Sequence, residues 1–156
     1  MRRKEVIGKG VIKKAILAAL VWALALPVIG APAATSKYLV ILQAGKESHE
    51  GMARAVHALL YSKELKAHGH DVVLVFDGAG TQWIHEWTRP GSTDHLLMQY
   101  QALQKMGITE VICDFCASAF KVRDDLKKQG VPTTSEFEGH PSIAKWADQG
   151  YQVVIL

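Results

Sequence analysis

Short apolar runs, separated by amphipathic stretches, constrain this chain more tightly than any other feature of its sequence. The clearest runs are residues 38–42 (YLVIL), 72–76 (VVLVF) and 151–156 (YQVVIL), with shorter ones at 110–113 (EVIC) and 131–134 (VPTT). A strand buried on both faces carries apolar residues at consecutive positions, whereas a half-solvated antiparallel strand alternates apolar with polar. Between the runs, residues 51–67 place Met52, Val56, Leu59 and Leu60 at helical spacing, with Ser48 as the cap. A second helix, capped by Thr93 or Asp94, gathers Leu96, Tyr100 and Leu103 on one face, and residues 116–129 and 141–148 read as further helices. Strand and helix in strict alternation predict an open α/β fold, with a mainly parallel sheet of five strands and helices on both faces. Residues 81–93 fit this scheme least. Trp83, Ile84 and Trp87 crowd a short helical turn before a loop; they fit a core, a lid over the Cys loop or a subunit contact, and two Trp in such a segment favour the contact.

The first 33 residues belong to a different problem. Six of the 18 Lys+Arg lie within the first fourteen positions, against the single acid Glu5. An uncharged apolar stretch of 15 residues, 15–29, follows, and then Ala31-Pro32-Ala33, a small-x-small cleavage site. The stretch is shorter than the ~20 residues that span a bilayer core, so residues 1–33 are expected to be a secretory signal peptide. An uncleaved anchor is the alternative. A chain starting at Ala34 keeps 12 of the 18 basic residues and 14 of the 15 acids, so its basic balance disappears. That removes the electrostatic case for nucleic acid and leaves a periplasmic or secreted domain with no stable membrane insertion.

Ligands of open α/β sheets gather beyond the carboxyl ends of the strands. The segments there are the loop 44–50, the turn 77–80 with Asp77 as a binding candidate, the Cys113-Asp-Phe-Cys116 stretch, and the loop 135–140. Two Cys at a strand-to-helix junction form the most specific feature. A helix starting at Cys116 would lower its thiol pKa through the positive end of the dipole, although Asp114 opposes this. His49 and His140 are the imidazoles whose loops reach the same edge, and either would serve to take up the Cys116 proton. Thioredoxin-like chemistry lacks the Trp expected before the first Cys. A metal site is not expected, because one C-x-x-C supplies only two ligands and neither His49 nor His140 stands at diagnostic spacing. Gly45-Lys46-Glu47-Ser48 lacks the frame of a phosphate loop, and no cofactor is expected.

The run 111–122 (VICDFCASAFKV), the opening YLVILQAG and the closing EGHPS followed by GYQVV resemble the DsrE/DsrF-like family, which includes TusD-type sulfur-relay subunits. The likeness spans residues 37–156. It implies a flavodoxin-like three-layer fold, assembly into homo-oligomers, and a persulfide carried on a loop cysteine. By position Cys116 matches the sulfur-accepting thiol, since small residues and a helix follow it, and Cys113 is an additional thiol. The implied activity is sulfur binding or relay, with a protein or a small thiol as donor or acceptor. The alternatives are a non-catalytic oligomeric binding module and a thiol–disulfide exchange protein.

Overall fold

The computed structural model describes residues 35–156, so the expected signal segment 1–33 lies outside the described residues. Strand β1 (Lys37–Leu42) leads through helix α1 (His49–Ala67) to β2 (Asp71–Phe76), and then through a 3-10 turn (Gly78–Gly80) into α2 (Thr81–Thr88) and α3 (Leu97–Lys105). Strand β3 (Thr109–Ile112), helices α4 (Asp114–Ala119), α5 (Arg123–Lys128) and α6 (Ile143–Ala147), and strand β4 (Tyr151–Ile155) complete the order. The sheet runs β3-β2-β1-β4 with every pairing parallel.

Four strands form the sheet, not the expected five. Residues 131–134 pair with Cys113 only through an isolated bridge at Thr134. Two hydrogen bonds hold it, Thr134 N–H to the Ile112 carbonyl at 2.7 Å and Asp114 N–H to the Thr134 carbonyl at 3.0 Å. Pro132 has no N–H to extend the ladder, and the Thr133 hydroxyl is taken by the Asp114 carboxylate at 2.6 Å.

The two sheet faces are covered unequally. Val40, Leu42, Leu74 and Phe76 point to one side, where they pack against α1 to α5. Leu39, Ile41, Val73, Val75 and Val111 point to the other, where among the described residues Trp146 of α6 and Tyr151 pack on them. Trp83, Ile84 and Trp87 sit in the larger core at 1%, 0% and 3% exposure, which overturns the expected subunit contact. Their indole N–H groups explain why burial is tolerated: Trp83 donates to the Ala44 carbonyl and Trp87 to Asp94, each at 3.0 Å. On α1 the buried face is Ala55, Ala58 and Leu59, while Leu60 is exposed. Small residues let that helix lie close to the sheet.

Two local features position the site. Gly80 passes so close to β1 that a Cβ there would stand 2.0 Å from the Leu42 carbonyl oxygen, so the turn after β2 needs glycine. The single helix expected over 116–129 is two. Lys121 adopts a left-handed φ of 59° between α4 and α5, and the Val122 N–H closes back to the Ala117 carbonyl at 2.8 Å.

Candidate functional site

Each of the first three strands delivers a polar side chain to the same edge. Gln43 follows β1, Asp77 follows β2, and Cys113 follows β3 as the N-cap of α4. The helix therefore starts at Asp114, two residues earlier than expected, and Cys113 is the capping thiol. Its sulfur accepts the Cys116 N–H at 3.4 Å. Asp114, which the sequence sets against a thiolate, is tied up by Thr133 and, at 3.4 Å, by Arg123.

His140 arrives from the far loop. A tight turn, with Phe137 and His140 exchanging backbone hydrogen bonds at 2.8 Å, brings it over α4. Gly139 enters this turn at φ 89°, and its carbonyl accepts the Phe115 N–H at 3.0 Å. The Phe115 ring lies against the imidazole with centroids 4.7 Å apart. Loop and helix are thereby pinned to each other on both backbone and side chain.

The outcome is a group of four: Asp77, Cys113, Cys116 and His140 each offer one donor atom, and all four atoms lie within 4.8 Å of one another. Cys116 Sγ donates to Asp77 Oδ1 at 3.1 Å, and Cys113 Sγ lies 3.2 Å from His140 Nδ1, which is 4.0 Å from Cys116 Sγ. The second Asp77 oxygen accepts from Gln43 Nε2 at 2.8 Å, which fixes the carboxylate's orientation. Cys113 is fully buried, and Cys116 keeps 9% of its surface. His49 is exposed at the first turn of α1 and is not in the group. Gln43 is the contributor that sequence reading missed. Its position directly after β1, on the ligand edge, was the available signal.

The electrostatics run opposite to the expected lowering of the Cys116 pKa. Burial pushes the Cys116 thiol up, and its hydrogen bond to the anionic Asp77 pushes it further. Burial likewise raises Cys113. Burial also acts to raise Asp77, but hydrogen bonds from Cys116, Gln43, Cys113 and the Gly78 backbone outweigh it and hold the carboxyl below its usual range. A carboxylate 3.1 Å away decides more than one amide of a six-residue helix. The arrangement is a protonated thiol with its base in place.

Beside the group lies a cavity of about 440 Å³, lined on its apolar side by Ile41, Val75, Phe137 and Ile143. Asp77 and His140 line it too, so they belong to both the cavity and the thiol group.

Comparison with known proteins follows the same residues. Positions 36–156 match the DsrE/DsrF-like family. An uncharacterized protein of Methanocaldococcus jannaschii, MJ0733, is 28% identical over 110 residues, covering 70% of this chain and 86% of the relative. A solved structure, a conserved protein of unknown function (BT1422) from Bacteroides thetaiotaomicron, covers 77% of this chain and 95% of its own, with 17% identity and a TM-score of 0.48.

Proposed function

The chain belongs to the DsrE/DsrF-like family, and on that premise we propose that it is an exported sulfur carrier that accepts a sulfane sulfur on Cys116. The observation that carries the reading is the Cys116 thiol, hydrogen-bonded to Asp77 and still reached by solvent. A low-mass persulfide, R–S–SH, is the donor. As Asp77 Oδ1 takes the Cys116 proton, the sulfur attacks the outer donor sulfur. The Cys116 Sγ–S bond forms, the donor S–S bond breaks, and the leaving thiolate takes up the proton to become R–SH. Delivery to an acceptor thiol is the same exchange in reverse. Cys113 provides a second exit: its thiol attacks Cys116 Sγ, forms the Cys113–Cys116 disulfide and expels the carried sulfur as sulfide. His140, beside the Cys113 sulfur, is the base for that step.

The test is intact mass of the reduced chain after exposure to a low-mass persulfide. The wild type gains one sulfur atom, Cys116→Ser gains none, and Cys113→Ser gains it and releases no sulfide. A thiol–disulfide exchange protein is the second reading, favoured by the proximity of the two thiols. It predicts that Cys113→Ser and Cys116→Ser are equally dead. Export is part of the proposal. N-terminal sequencing of the exported form should begin at Ala34, and a sequence retaining Met1 would replace the soluble form with an anchored one.

A further inference from the structure

We propose that Asp77, Cys113, Cys116 and His140 form a Zn²⁺ site. Sequence spacing supplied two ligands, and folding supplies the other two. Tetrahedral zinc with bonds of about 2.0–2.3 Å separates its ligand atoms by about 3.3–3.8 Å. The contacts here are 3.1 Å for Cys116 with Asp77, 3.2 Å for Cys113 with His140 and 4.0 Å for Cys116 with His140. With all four donor atoms within 4.8 Å of one another, side-chain adjustments of about 1 Å convert one arrangement into the other.

Three independent features match what zinc requires. The donor set is two sulfurs, one imidazole nitrogen and one carboxylate oxygen, which suits borderline-soft Zn²⁺ and is wrong for Mg²⁺ or Ca²⁺, which take oxygen. The outer contacts are in place: Gln43 holds Asp77 Oδ2, the oxygen not bonded to Cys116, and the Cys116 N–H points at the Cys113 sulfur. The sulfurs are buried, with Asp77 and His140 half-buried, so water competes weakly for the ion. On binding, two S–H bonds break, two Zn–S bonds form and two protons pass to solvent, with no change of oxidation state. Zinc binding stands apart from the sulfur reading. Only one consequence rests on that reading: zinc draws charge from the Cys116 sulfur and holds it in place, which lowers its nucleophilicity, so bound zinc slows sulfur uptake.

The test uses the untagged chain, reduced and stripped with a chelator, titrated with Zn²⁺ alone and with Co²⁺ as a spectroscopic substitute. One ion binds per chain. Cobalt shows the intense visible bands of tetrahedral coordination with a thiolate charge-transfer band, and zinc displaces it. Both thiols then resist alkylation until chelator is added. Cys113→Ser keeps a helix cap, so the fold survives, and affinity falls by about tenfold or more, as it does in His140→Ala. Absence of stoichiometric binding, an octahedral cobalt spectrum, or affinity retained when both cysteines are serine would overturn the proposal. Sulfur uptake by the same stripped protein is read separately. Uptake without zinc binding sinks the metal site alone, and zinc binding without uptake sinks the carrier alone.

Discussion

At the scale of single residues, the chemistry turns on which partner each thiol faces. Cys116 faces a carboxylate and Cys113 faces an imidazole, although one lies in the first turn of α4 and the other caps it. A thiol held protonated by burial and by a neighbouring anion reacts slowly with general electrophiles, which protects it until a donor arrives. Removing the anion should reverse this. In chelator-treated Asp77→Asn, the Cys116 pKa falls and the pH profile of alkylation moves to lower pH. One unit of fall gives about tenfold more thiolate, and reduced nucleophilicity leaves a net acceleration of about threefold at neutral pH. An unmoved pH profile would show that Asp77 does not keep the Cys116 thiol protonated. The sequence pointed to Cys113, Cys116, His140 and Asp77 because all stand just beyond a strand end or in the loop facing it. It could not separate His140 from His49. Both read as loop histidines in the sequence, whereas in the structure His49 opens α1 and His140, 24 residues past Cys116, is folded back over α4 by a tight turn.

Among the elements, β1, β2 and β4 and helices α1 to α3 were legible because apolar runs and helical spacing are local signals. What escaped was decided by distant contacts. Residues 131–134 have strand-like Val and Thr, but Pro132 and the Thr133–Asp114 bond reduce them to a bridge. Periodicity continues smoothly through Lys121, yet the closure of Val122 onto Ala117 breaks the helix there. Trp83 and Trp87 resemble interface residues until the Ala44 carbonyl and Asp94 are seen to satisfy their N–H groups. The loop before α1 is tied to α2 by Glu86, which binds Lys46 at 3.0 Å and Arg89 at 2.7 Å. The Arg89 hydrogen bond, with Lys46 acting alongside and partial burial opposing, holds Glu86 down at about 2, against an ordinary value of 4.5. A depressed carboxyl stabilises the fold above its unfolded pKa, and that contribution is lost as pH falls from about 4.5 toward 2. Acid titration of stability should therefore be shallower across that window in Glu86→Gln than in the wild type. Identical slopes would remove this tie from the account.

For the whole molecule, the uneven sheet matters most. The face beyond α6 leaves Phe137, Ile143, Val153 and Ile155 at 65%, 44%, 43% and 58% exposure. Ile155 pairs in register with Ile41, which lines the same cavity as Phe137 and Ile143. Val153 and Ile155 also lie on β4, an outer strand of the sheet. Apolar exposure on an edge strand is a liability unless another surface covers it. The family resemblance suggests the cover is another copy of this chain. Sedimentation of the chain should then show an oligomer that Ile155→Asp dissociates without unfolding. A wild-type monomer would assign this face to another partner. An oligomer closed over this face would also narrow the route to the cavity, favouring a low-mass thiol over a protein as donor. Among the described residues no helix is long and apolar enough to cross a membrane.

Fragment mass mapping of the sulfur-loaded, metal-free chain tests the central claim most directly. After persulfides are capped, the added sulfur should reside on the fragment bearing Cys116, as a capped persulfide at that residue. Sulfur found on Cys113 instead, or a chain that emerges with both thiols unmodified, would contradict the assignment of Cys116 as the carrier.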